Sequence, residues 1–198
     1  MPKFSDSEKQ MIQEKLHTEG ERLFTLYGIK KVTVDDLVKA AGIAKGSFYA
    51  FYSNKEHLYM SILERIQRRV WQDMDVFLDG HRTLLPKELM KKALLWSLDQ
   101  LQKYPMLLLV DTETVDYLFR KLPKEMIELH TQEDAFFLRK LQEYGISFNC
   151  EADLAAKALQ VLVISFLELK KEQYGRQVAV MELIANGVVN EIVGDKND

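Results

Sequence analysis

Four residues within five positions, Lys45, Gly46, Ser47 and Tyr49, are the types a protein surface needs to grip a polyanion. Lysine offers a compact positive charge to a phosphate or a guanine edge, and serine donates or accepts at either. Glycine lets the backbone approach closely. A tyrosine hydroxyl suits phosphate oxygens, contacts that position a protein on a duplex without reading its sequence. Thr33 upstream and Lys55 downstream add a third hydroxyl and a second ammonium.

These residues act together only if a local scaffold sets them on one surface, and the run from Thr33 to Tyr49 reads as helix, tight turn, helix. Val38 is small enough to sit where the two helices cross. Gly42, four residues on, opens the turn, where a positive φ is cheap only without a Cβ. Leu37, Ile43 and Phe48 are spaced to hold the second helix against the first. Lys45, Gly46, Ser47, Tyr49 and Ala50 are left facing outward on its N-terminal half, the half that enters a major groove in a helix-turn-helix. By itself the pattern fits equally well two short helices of a bundle with a solvated Lys and Ser face.

The elements around this run are helical too. Ser5 and Glu8 have capping-box spacing, and Met11, Ile12, Leu16, Leu23, Phe24 and Tyr27 mark one apolar face that ends at Gly28. Thr33 is a good N-cap, with Asp35 and Asp36 favourable in the first turn that follows. Asn54 caps a long helix to about Leu78. Further helices are expected at about 86–103, 106–122, 124–144, 152–173 and 177–193, separated by Tyr104-Pro105, Leu122-Pro123, Gly145 and Gly175. No stretch alternates at period two over more than a few residues, so an all-α fold of about nine helices without a sheet is expected.

From Leu16 to Tyr59 the order of residues resembles the TetR family of bacterial transcriptional regulators. The resemblance is carried by Leu23-Phe24, Gly28, Val32-Thr33-Val34, Leu37, Ala40-Ala41-Gly42-Ile43, Lys45-Gly46-Ser47-Phe48-Tyr49 and Asn54-Lys55-Glu56-His57-Leu58. It implies a helix-turn-helix DNA-binding domain over 1–56 and a helical effector-binding and dimerisation domain over 57–198. It also implies a repressor that binds a pseudo-palindromic operator as a homodimer. Three positions depart from the family pattern. Glu19-Gly20 replaces a small pair, Ala44 stands where a Ser or Thr usually caps the recognition helix, and Phe51 stands where a His is frequent.

The composition bounds these readings. Among 198 residues, 47% are hydrophobic and 29% charged, ordinary for a folded soluble chain. The net charge is −3; residues 1–56 hold nine Lys/Arg against eight Asp/Glu, a balance of only +1. Any DNA contact must therefore come from the placement of a few donors rather than from a basic domain. The single cysteine, Cys150, the polar N-terminus and the interrupted apolar run 154–169 point to a cytoplasmic protein without a membrane span. No GxGxxG, P-loop, HExxH or GxSxG occurs, so an enzyme is not expected and no cofactor is called for.

Two late helices carry more apolar surface than one small core needs: Leu154, Ala155, Ala158, Leu159, Leu162, Val163, Phe166 and Leu169, then Val180, Leu183, Ile184, Val188 and Ile192. A four-helix interface between two copies would bury the surplus, and it resembles how the family dimerises. The middle helices are rich in large side chains, among them Trp96, Met106, Tyr117, Phe119 and Phe137. Two readings stay open for these: the lining of a pocket for a hydrophobic or aromatic effector, or ordinary core. His130 and Glu133 lie one helical turn apart, with His81 elsewhere, but no second His or Cys partner is near, so no metal site is expected. The rival reading of the whole chain is a helical ligand- or partner-binding protein whose helix-turn-helix is vestigial.

Overall fold

A computed structural model describes residues 4–124, 126, 133–168 and 174–194, and among them are nine α-helices. In chain order they are α1 (Asp6–Tyr27), α2 (Val34–Ala41), α3 (Lys45–Tyr49), α4 (Lys55–Asp79), α5 (Pro86–Lys103), α6 (Thr112–Lys121), α7 (Glu133–Glu143), α8 (Ala152–Glu168) and α9 (Tyr174–Ile192). The only ladder among the described residues is an isolated antiparallel bridge between Phe148 and Val193.

The helix ends follow from local chemistry. Ser5 closes a full capping box: the Glu8 N–H donates to its hydroxyl at 3.3 Å, and the Ser5 N–H donates to the Glu8 carboxylate at 2.8 Å. At the other end of α1, Gly28 adopts φ 75° and its N–H reaches the Phe24 carbonyl. Asn54 caps α4 by accepting from the His57 N–H at 2.7 Å. The expected helix over 106–122 is in fact two pieces. Pro105–Leu109 is a 3₁₀ turn, and the chain restarts at Asp111, whose carboxylate accepts from the Thr114 N–H at 2.8 Å. The apolar run Met106–Val110 carries no helical period of its own, so only the cap at Asp111 marks the true start.

The chain packs as two compact units, residues 1–69 with 104–127, and residues 70–103 with 128–198. In the first, α1 packs on α2 and on the 3₁₀ turn, and α3 on α2. Leu16, Phe24, Leu37, Phe48, Leu58, Tyr59 and Met106 are among its fully buried side chains, with Phe24 and Tyr59 edge to face at 5.2 Å. Gly20 lets α1 approach α4 closely, since a Cβ there would meet the Ile62 side chain at 2.8 Å. This supplies a packing reason for the departure at Glu19-Gly20.

The second unit is held by an apolar cluster from Met74 and Leu78 through Leu89, Met90, Ala93, Leu94 and Leu98 to Leu138, Leu141, Leu159, Leu162, Met181, Ala185 and Val189. Within it α9 packs against α5 and α8, and α7 against α8. No described helix is long and apolar enough to cross a membrane.

Candidate nucleic-acid interface

The helix-turn-helix forms as the spacing demands. Thr33 caps α2 in a reciprocal box with Asp36: its hydroxyl accepts from the Asp36 N–H at 3.2 Å, and its own N–H donates to the Asp36 carboxylate at 2.9 Å. Such a cap contributes about 1 kcal/mol. Gly42 ends α2 in the left-handed region, with φ 65° and ψ 39°, and the Ile43 N–H then reaches the Val38 carbonyl at 3.0 Å. Leu37, Val38, Ala41 and Phe48 are buried between the helices. Ala44, at the N-cap of α3, provides no side-chain acceptor.

This frame presents Lys45, Gly46, Tyr49 and Ala50 to solvent, with Ser47 half-buried beside them. Tyr49 is 53% exposed and stands edge-on to the buried Phe48 ring at 5.4 Å, which fixes its direction. Lys45 pairs with Asp35 of α2 at 2.8 Å, and the hydrogen bond raises its already high pKa. Both partners are well exposed, so the pair is weak in water and a phosphate can displace the carboxylate.

The other two candidates hold the scaffold. The Thr33 hydroxyl, besides accepting in the capping box, donates to the Asp36 carboxylate at 2.6 Å. Lys55 is engaged with the backbone. Its ammonium donates to the carbonyls of Ile29 at 2.7 Å, Val32 at 2.7 Å and Lys30 at 3.3 Å. With three protons on three carbonyls, it organises the loop between α1 and α2 and has no donor left for DNA in this arrangement. Burial pushes its pKa down from the usual lysine value.

The large side chains proposed for an effector pocket scatter. Met106 is fully buried in the first unit, and Phe119 there is half exposed. Tyr117 is in that unit too: its hydroxyl donates to the buried Glu56 carboxylate at 2.5 Å, and Lys30 lies over its ring at 5.9 Å while also pairing with Glu113. Burial and the Glu56 bond push the Tyr117 phenol up to about 12. Among the described candidates, only Trp96 packs against the second unit's core, stacked on Phe77 at 5.3 Å. The Phe137 side chain lies outside the described residues, as do His130 and the Glu133 side chain. His81 bonds the Phe77 carbonyl, and no group of described residues could hold a metal ion.

Residues that the motif reading did not single out also brace this surface. Tyr52, just beyond α3, is buried, and its hydroxyl meets His17 of α1 at 2.8 Å. The two are 35 positions apart, and nothing local in the sequence signals the contact.

Known proteins bear on this geometry at three scales. Residues 18–62 match the sequence pattern of the bacterial regulatory proteins of the tetR family. Over 52 residues the chain is 36% identical to an uncharacterised HTH-type transcriptional regulator of Bacillus subtilis, YhgD, covering 26% of this chain and 27% of that protein. The shared stretch thus spans about a quarter of that relative. Over 183 residues the chain is 27% identical to the nucleoid occlusion factor SlmA of Glaesserella parasuis, covering 88% and 87% of the two. Its fold is like that of the transcriptional regulator FadR of Bacillus subtilis, solved in complex with stearoyl-CoA. That likeness has a TM-score of 0.62 at 16% identity and covers 89% of this chain and 97% of FadR.

Proposed function

We propose that this chain, whose residues 18–62 match the pattern of the tetR family of bacterial regulatory proteins, is a dimeric repressor that binds a pseudo-palindromic operator and is released by a small hydrophobic or aromatic effector. The observation that carries the reading is the outward set on α3. A Cβ on Gly46 would point into open space, and its φ is not positive. A glycine inside a helix costs about 1 kcal/mol relative to alanine, and no neighbour in the fold needs that space. A duplex backbone or base edge drawn close to α3 does. Lys45, Ser47 and Tyr49 flank the opening with a cation and two hydroxyls, the groups that read base edges and hold phosphates.

Dimerisation supplies the second half-site. Leu154 and Val161 of α8 and Leu183 of α9 are more than half exposed, Leu183 at 76%, and a second copy would cover them. Two recognition helices about 34 Å apart then read successive major grooves. The effector would enter the helical domain over 57–198, where Trp96 is the best-placed candidate. FadR, in complex with stearoyl-CoA, makes long acyl chains the first class to try. Helix α4 begins in the first unit and ends in the second, so an effector that tilts it would change the spacing of the recognition helices and shift the population away from the DNA-bound shape.

Selection of the purified protein against random duplexes at near-physiological salt tests the reading. The expected result is enrichment of a pseudo-palindrome that is lost on Tyr49→Ala with the fold intact. The rival, a ligand- or partner-binding protein with a vestigial helix-turn-helix, draws on the Lys45–Asp35 pair and the uncapped start of α3. It predicts no enrichment and no functional change in Tyr49→Ala or Lys45→Ala.

A further inference from the structure

His17 of α1 stands at a junction of three elements. Its Nε2 lies 2.8 Å from the Tyr52 hydroxyl and 3.1 Å from the Ser61 hydroxyl of α4. Its Nδ1 lies 3.0 Å from Nη1 of Arg65, also on α4. A guanidinium has no acceptor, so Nδ1 must accept from it. The neutral ring therefore carries its proton on Nε2, which points at Tyr52 and Ser61. Arg65 is in turn held by Glu14 of α1 through two bonds of 2.6 Å.

Tyr52 connects this hub to the surface described above. Its N–H bonds the Phe48 carbonyl at 3.0 Å, closing the last turn after α3, and its ring packs on Phe48 and His57. The side chains of Ser61 and Gln13 lie close to its hydroxyl. A hydroxyl anchored this way fixes the C-terminal end of the recognition helix against α1 and α4. Stacking of the ring alone would permit sliding.

We propose that neutral His17 is a positioning residue for the recognition helix: it holds Tyr52, and through it the end of α3, in the DNA-binding arrangement, and its protonation releases that end and weakens DNA binding. The proposal rests on the DNA-binding reading of α3. Protonation would turn Nδ1 from acceptor to donor and set an N–H against the Arg65 N–H. It would also add a positive charge where Arg65, Arg68 and Arg69 of α4 already stand and Glu14 of α1 is the nearest opposing charge. Glu64 lies near Tyr52 and Glu21 near Arg65. Burial first, and then Arg65, hold the His17 pKa below its usual value, so the neutral ring is the resident form near neutral pH.

The test uses the full chain from about pH 7.5 down to about pH 5, the range in which a histidine titrates, with burial setting His17 toward its lower end. The probe is the duplex enriched from the random pool at the higher pH. Binding by phosphate contacts alone strengthens as a protein gains protons. His17 control predicts the reverse, an affinity that falls about tenfold on acidification, the change produced by a difference of about one pKa unit between the free and the DNA-bound protein. His17→Gln keeps an amide donor and acceptor without a titration and should give a flat profile. Tyr52→Phe keeps the ring without its hydroxyl and should bind weakly at every pH. In parallel, the NMR titration of the His17 ring should be tracked by the amide signals of residues 45–52. A wild-type affinity that stays level or rises on acidification overturns the proposal, as do amide signals that ignore the His17 titration. If no duplex is retained at any pH, the DNA reading itself has failed, and the NMR titration alone then supports or overturns the coupling of His17 to α3.

Discussion

In the first unit a single ammonium, that of Lys55, gathers three carbonyls from 23 to 26 residues away, Tyr117 reaches back 61 positions to Glu56, and His17 joins Tyr52, Ser61 and Arg65. In the second, the residues that meet are apolar, leucines above all, and ion pairs such as Arg82–Asp79 and Lys103–Asp73 sit on the outside. Directional bonds hold a geometry but fail one at a time when a partner is removed. Apolar packing tolerates reshaping and fails by volume. A unit built to present α3 at a fixed angle needs the first kind of cohesion, and a unit built to admit a ligand is better served by the second.

Substitutions can break or sharpen this contrast. The largest loss is expected in the second unit from Leu98→Ala, which removes a buried side chain on α5. It should cost about 2–5 kcal/mol, read as a lower denaturant midpoint with an unchanged slope. Lys55→Met comes next. It retains the stem and leaves three carbonyls without their donor, a loss of about 1–3 kcal/mol. Amide exchange should speed up over residues 28–33 while the second unit stays protected. Equal acceleration in both units would erase the contrast.

Smaller still is the pH response of the first unit. The folded pKa of His17 lies below its unfolded value, so its neutral-state bonds count in full above about pH 6.5. Below that, the unfolded chain takes up the proton first. Stability should then fall with pH, by at most about 1.4 kcal/mol per pH unit, until the folded ring is protonated too. His17→Gln should remove that slope in a melting series. The smallest effect belongs to Tyr59, fully buried against Phe24 with a hydroxyl that finds no hydrogen-bond partner among the described residues. Tyr59→Phe relieves that group and should be neutral or stabilising by up to about 1 kcal/mol, whereas Tyr117→Phe, which strips Glu56 of its donor, should destabilise.

What was legible in the sequence is what is local. The Ser5–Glu8 box, the Thr33 cap, the Gly42 turn and the Asn54 cap each act over three or four residues, so spacing alone exposed them. The outward set on α3 followed from the same short-range pattern. Lys55 reads toward phosphate because an ammonium beside a predicted DNA surface suggests it, and no local pattern shows that it also bonds carbonyls of the loop between α1 and α2. Tyr117 and Met106 read as pocket lining because a large side chain on a helix says nothing of which core it enters, and both belong to the first unit. The split of 106–122 was hidden because a continuous apolar run has no period with which to separate a 3₁₀ turn from an α-helix.

The first unit is assembled from two separate stretches, 1–69 and 104–127, and this bears on any attempt to transplant it. Grafting only the first 56 residues onto another regulator would strand Glu56 without Tyr117 and Lys30 without Glu113. A working transplant would have to carry both stretches. The same interdependence constrains natural exchange: a recombination that swaps the DNA-reading head between two such proteins keeps its footing only when the passenger segment around α6 travels with it.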